Sequence, residues 1–245
     1  MKLTVLGSSS KGNCYILQSG SSKLLLECGI SWKDVKKALD FNLSEICGCL
    51  ISHEHKDHCK AVEDVIKAGI DVYASRGTLE SCEVLDSHRS IVLEYENQID
   101  RFIVRPFKTE HDAAEPLGFM IYDTKTKEKL LFATDTYYLR YTFPKLDYIM
   151  IECNYDREVL RENIENGLIP ASLKDRLLES HFALHNVKEF LTANDLRYCK
   201  QIVLLHLSDS NSDPEKMRRE IEEMVRVPTA IARPKLEIEL EKYPF

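Results

Sequence analysis

No apolar run in this 245-residue chain approaches the ~20 residues that a bilayer span requires. The first residues, Met1-Lys2-Leu3-Thr4-Val5-Leu6-Gly7, lack the long apolar core of a secretion signal. The expectation is a cytoplasmic protein without a membrane partner. A surplus of positive charge is also missing: the formal net charge is −7, and lysine and arginine are dispersed. Non-specific adhesion to nucleic acid over the whole surface is thereby excluded, because counterion release needs clustered cations. A local basic groove is not. Internal repeats and low-complexity linkers are absent, as are a Gly-x-Ser-x-Gly elbow and a Gly-Lys-Ser phosphate loop, which removes the common serine-nucleophile and nucleotide-loop chemistries. The eight cysteines are scattered in a large chain, the reduced pattern rather than a disulfide framework. Cys47 and Cys49 alternate within an apolar run and read as small buried hydrophobes on one strand face.

What remains is a soluble enzyme's balance, 44% hydrophobic and 30% charged, in a length that one domain spanning 1–245 accommodates. Strands are expected at Leu3 to Leu6, Cys14 to Gln18, Lys23 to Glu27, Cys47 to Ile51, Asp71 to Ala74, Ile91 to Leu93, Phe102 to Val104, Phe119 to Tyr122, Lys129 to Phe132, Tyr148 to Ile151 and Gln201 to Leu205. Helices are expected at Ser31 to Leu39, Lys60 to Ala68, Arg157 to Glu165, Ser172 to Leu178, Asn186 to Ala193 and Pro214 to Met224. The last has a clear start signal, with Asp213 as cap and Pro214 at the first helical position. Many strands with helices both early and late predict an α+β sandwich rather than an all-parallel sheet.

Histidine is scarce, eight residues in all, yet three fall in His53-Glu54-His55-Lys56-Asp57-His58, directly after an apolar strand. Imidazoles and a carboxylate on one tight loop are what a divalent metal requires, and the donor types suit Zn, Mn or Fe without choosing among them. Alternate residues His53 and His55 can face one ion while Asp57 and His58 turn toward a second. Polar residues at the ends of apolar runs recur at Thr109-Glu110-His111-Asp112, at Ala133-Thr134-Asp135-Thr136 and at Leu205-His206-Leu207-Ser208. Ligands at strand ends sit on a rigid scaffold. Two cations near each other activate a water and clamp the oxygens of a phosphoester, so metal-dependent hydrolysis is the favoured reaction class.

The order HxHxDH, lone His, Asp in a Thr-Asp-Thr setting and late His resembles the metallo-β-lactamase superfamily along nearly the whole chain. Gly7-Ser8-Ser9-Ser10-Lys11-Gly12-Asn13-Cys14, Ile151-Glu152-Cys153-Asn154-Tyr155-Asp156 and Leu205-His206-Leu207-Ser208 are similar to the YycJ-like (WalJ-like) branch of DNA exonucleases. The resemblance implies a four-layer αββα sandwich binding two divalent metal ions: His53, His55 and His111 on one, Asp57, His58 and His206 on the other, and Asp135 bridging. It implies a 5′ to 3′ DNA exonuclease with a nucleic-acid substrate. Asp57 and His181 are its catalytic candidates, and Asn13, Asn154 and His181 its substrate contacts. His181 is expected on a loop between two helices, whereas His88 and His185 read as surface residues. Two positions depart from the branch: Glu27 stands where Asp is usual, and Phe182-Ala183-Leu184 follows His181 where Leu-Ser-Asn is usual. Alternative readings are a small cyclic phosphodiester, an RNA end or another ester as substrate, and, more remotely, a di-iron redox protein or a non-catalytic relative. The last two are disfavoured by His55 and by the presence of all seven candidate ligands.

Overall fold

The computed structural model describes residues 1–170 and 177–240. The described residues form two compact units: 1–108, 113–128 and 232–240 make the first, and 109–112, 129–170 and 177–231 the second.

In the first unit, β1 (Lys2–Gly7), β2 (Cys14–Ser19) and β3 (Ser22–Leu26) run antiparallel. They are followed by the parallel strands β4 (Ile46–Leu50), β5 (Val72–Ala74) and β6 (Ser90–Val92). A late strand, Glu237–Glu239, pairs with β1 on the outer edge. Helices α1 (Trp32–Ala38), α2 (Lys56–Cys59), α3 (Val62–Lys67) and α4 (Arg76–Ser81) connect these strands. Val35, Val62, Val65 and Leu79 from the helices form one apolar core with Cys14, Ile16, Leu25, Cys49 and Val72 from the sheet. Three further strands, β7 (Asn97–Ile99), β8 (Phe102–Lys108) and β9 (Leu117–Asp123), form an antiparallel meander. Ser19 donates to buried Asp123 and Ser22 to Asp100, tying the meander to the β2–β3 turn.

The second unit is built on the parallel strands β10 (Lys129–Ala133), β11 (Tyr148–Glu152), β12 (Gln201–Leu205) and β13 (Thr229–Ile231). The first three read as nearly continuous apolar runs, the pattern of parallel strands covered on both faces. Around them lie α5 (Arg157–Glu165), α6 (Leu184–Ala193) and α7 (Pro214–Val225), the last capped by Asp213 as its sequence predicts. No helix among the described residues is long and apolar enough to cross a membrane.

Most predicted elements are present within a residue or two. The helix expected over Lys60 to Ala68 is present as α3, Val62–Lys67, and an unforeseen turn of helix, α2, precedes it carrying Asp57 and His58, the two parted by Ala61 at φ −101°, ψ 14°. The strand expected to reach Glu27 stops at Leu26, where Glu27 turns left-handed at φ 64°. Helix α4 and strands β7, β13 and Glu237–Glu239 lack a clear periodic signal in so few residues. The helix expected over Ser172 to Leu178 lies mainly outside the described residues, although 177–180 is helical.

Candidate metal centre

Strand β4 delivers the ligand loop of the first unit. Its run ends at Leu50, and two residues later the Ser52 amide donates to both carboxylate oxygens of Glu27, at 3.2 and 3.3 Å. The Ser52 hydroxyl lies 2.9 Å from His53 Nδ1, orienting that ring with Nε2 on its far side. The ring centroids of His55 and His58 lie 4.7 and 4.1 Å from that of His53, so three imidazoles converge. Buried Glu27 stands 3.6 Å from His58 Nδ1 and Asp57 3.4 Å from His58 Nε2. The extra methylene of Glu27 therefore still allows its carboxylate to support both the loop and the ring.

Asn13 is fully buried against the same loop. Its backbone amide donates to the Asp57 carbonyl at 2.7 Å, and its side-chain amide lies 3.0 Å from His58 Nε2 and 3.3 Å from the Asp57 carbonyl. Tyr15 donates to Asn13 Oδ1 and in turn contacts Ser8. Asn13, expected to contact substrate, is thus placed against the ligand loop and bonded to it. Gly29 seals the arrangement, since a Cβ there would lie 1.6 Å from the Asp57 carbonyl oxygen.

In the second unit, adjacent parallel strands β10, β11 and β12 end at or just before Asp135, Glu152 and His206, all buried. The C-terminal ends of parallel strands are where open α/β sheets place ligands. Asp135 and His206 are left-handed, with φ of 42° and 50°, as is Glu27 in the first unit. Non-glycine residues in this region carry strain and concentrate at functional sites. His206 Nδ1 lies 2.8 Å from Asp135 Oδ1 and 3.2 Å from Glu152 Oε1, and His181 Nδ1 lies 2.7 Å from Glu152 Oε1. One donor atom from each of Asp135, Glu152, His181 and His206 lies within 4.8 Å of the others. The second Glu152 oxygen accepts from the Thr136 and Phe182 amides, both at 3.1 Å, and Thr134 donates to Asp135 at 2.7 Å. His111 joins this group, with Nε2 3.9 Å from Asp135 Oδ2 and Nδ1 2.9 Å from the Ser180 carbonyl oxygen.

Two buried carboxylates facing three imidazoles form a set that demands positive charge. Burial opposes charging His206, but Asp135 and Glu152 override it and push its pKa up to about 10. Burial likewise opposes the proton on His181, and the same carboxylates raise its value nonetheless. In His111 burial prevails over the carboxylates and lowers the pKa, favouring the neutral form that coordinates metal. A divalent cation supplies the same compensation as the protons, through donors of the right chemical type, so the residues present fit a metal.

Sequence reasoning omitted Glu152 as a donor. The signal was available: a lone acid ends the apolar run Tyr148 to Ile151, as Asp135 and His206 follow theirs. Asn154, the other asparagine expected to contact substrate, donates to the His206 carbonyl at 2.8 Å and supports its left-handed turn. His181 lies on the short connection before α6, and exposed His88 and His185 fall outside the donor groups, as expected. The eight cysteines are free thiols.

The structure is similar to the metallo-β-lactamase fold protein YhfI from Bacillus subtilis, with a TM-score of 0.72 and 17% identity over 97% of this chain and 99% of that one. The chain is also 28% identical over 241 residues to exodeoxyribonuclease YycJ of Bacillus anthracis, covering 92% of this chain and 89% of the relative. The chain has the metallo-β-lactamase fold and is similar to proteins of that superfamily. The likeness extends to the YycJ/WalJ branch, and the chain has the α+β sandwich fold and the character of a metal-dependent hydrolase. Residues 1–79 match the family model "Anti-Pycsar protein Apyc1". The Apyc1 protein of Bacillus phage vB_BveM-Goe7 is 23% identical, over 82% of this chain and 96% of its own.

Proposed function

We propose that the protein is a dinuclear metal-dependent phosphodiesterase that degrades DNA from a 5′ end in the cytoplasm. The observation carrying the hydrolytic part is the convergence of buried Asp135, Glu152 and His206, at or just beyond parallel strand ends, with half-buried His181. DNA as substrate is supported by the relatives named exodeoxyribonucleases, which align along most of the chain. In this reading His53, His55 and His111 would hold one ion, Asp57, His58 and His206 the other, and Asp135 would serve both, with Zn, Mn or Fe as the metal.

When bound, the two cations activate a water and polarise the phosphoryl oxygens. The protein's own groups do the rest. Asp57 orients the attacking water, and Glu152 holds His181 with its proton available to the leaving oxygen, a task suited to imidazole near neutral pH. Thr134, Asn13 and Glu27 fix the donors in place.

The test is a turnover screen on end-labelled duplex DNA, single-stranded DNA, RNA, a cyclic mononucleotide and bis(p-nitrophenyl) phosphate, with elemental analysis of the same preparation. The expected result is progressive 5′ shortening of DNA, lost on chelation, with close to two transition-metal ions per chain. Chelator-insensitive activity or metal-free active protein defeats the reading. A second reading keeps the chemistry but takes a small cyclic phosphodiester. It is favoured by the match of residues 1–79, which include the HxHxDH segment, to a family not named for DNA. Turnover of the cyclic nucleotide with intact DNA selects it.

A further inference from the structure

Three of the chain's eleven tyrosines fall within Tyr137-Tyr138-Leu139-Arg140-Tyr141, which follows Asp135-Thr136 directly. The segment from Thr136 to Leu146 carries Arg140 and Lys145 and no acid, in a chain whose net charge is −7. Leu139 is buried and anchors the loop, and Tyr141 packs toward Phe143 with ring centroids 6.3 Å apart. Tyr137 and Tyr138 instead keep 36% and 53% of their surface in solvent. Exposed aromatics at Phe41, Tyr95 and Tyr198 are single residues and need no explanation.

The backbone beneath this pair is fixed. The Tyr137 amide donates to the Glu110 carbonyl at 3.1 Å, one residue before His111. Its carbonyl accepts from Asn186 Nδ2 at 2.9 Å, at the start of the helix that follows His181. Thr136 Oγ1 donates to the Tyr138 carbonyl at 2.9 Å, and Arg140 pairs with Glu110. Two exposed aromatic rings are thus held on a pinned loop between the segments bearing His111, Asp135 and His181, at little further ordering cost on binding. Aromatic side chains beside cations are how single-stranded nucleic acid is held without sequence preference, because every base has a π-face.

We propose that Tyr137 and Tyr138 form a base-stacking platform for the nucleotides flanking the scissile phosphate. The assignment rests on the nuclease reading for its ligand class. It explains how an acidic protein grips a polyanion: the rings supply binding that does not depend on a basic surface.

The experiment uses the purified, metal-loaded protein and a 5′-phosphorylated, fluorescently labelled single-stranded oligonucleotide with phosphorothioate linkages, alongside an identical abasic strand. Anisotropy is read for the wild type, Tyr137→Ala, Tyr138→Ala and the two Phe variants, with melting temperature as a folding control. The wild type should bind the strand bearing bases about tenfold or more tightly than the abasic one, roughly the effect of one stacked base. Each Ala variant should lose most of that difference, and each Phe variant should keep it. A wild type that does not distinguish the two strands, or folded Ala variants that still do, overturns the platform. Turnover of end-labelled DNA, measured in parallel, separates the two claims: base-dependent binding without turnover refutes the nuclease reading alone, and turnover without base-dependent binding refutes the platform alone.

Discussion

His181 Nδ1 lies 2.7 Å from Glu152 Oε1, so a half-buried imidazole is paired with an acid that is itself fully buried at the end of β11. The two should act as a unit. His181→Ala is expected to lower phosphodiester turnover by about 10²- to 10⁴-fold, the range for losing a general acid, while metal content stays near two ions per chain. Glu152→Gln should cost at least about tenfold in activity or metal affinity, because its second oxygen also holds the amides of Thr136 and Phe182. Turnover and elemental analysis on one preparation decide the roles: metal lost from His181→Ala makes that residue a ligand instead.

Asp135→Asn should abolish hydrolysis with the fold intact. Asparagine tolerates the left-handed backbone of this position, so the substitution removes charge without adding backbone strain. Circular dichroism matching the wild type, beside undetectable turnover, is the expected pair of results; near-normal turnover rejects Asp135 as a bridging ligand.

Asn13→Ala should weaken metal binding by about 10- to 100-fold while leaving a folded protein, because Asn13 positions the Asp57–His58 turn. Competition with a chelating dye measures it. A raised KM at unchanged metal affinity would favour the substrate role.

Gly29→Ala should destabilise the first unit by about 1–3 kcal/mol or more, since the added methyl meets the Asp57 carbonyl and the backbone must move. Urea midpoints of the metal-free protein test this, and an unchanged midpoint rejects the close approach.

Acid stability should depend on Asp123. Burial pushes its pKa up, but donors from Ser19, the Lys125 and Thr126 amides and Arg101 outweigh it and hold the carboxyl below the usual range. A depressed folded-state value contributes stability that is complete above the unfolded value of about 3.9 and disappears as pH falls through the folded one. Asp123→Asn should therefore lower the melting temperature at pH 7 and flatten its decline below about pH 4. An unaltered pH profile would contradict this assignment.

The ligand loop and the strand-end donors were legible in the sequence because metal chemistry restricts residue types and the parallel strands announce themselves as apolar runs. Glu152 escaped notice because a single acid after a strand is ordinarily a turn residue, and only its neighbours on β10 and β12 reveal its company. What Asn13 and Asn154 bond was not legible for a related cause: a polar side chain in a loop looks solvent-facing until the distant segment it bonds is known. Strand β7 and helix α4 are too short for periodicity to register.

The donor group of the second unit draws on His111, Asp135, Glu152, His181 and His206, the last of which follows strand β12 near the end of the chain. During synthesis the N-terminal ligand loop emerges early, yet these five residues cannot meet until β12 has been made and laid beside β11. Domains form as units as the chain lengthens. The donor group is therefore completed by β12, after the ligand loop and strands β10 and β11 have already been synthesised.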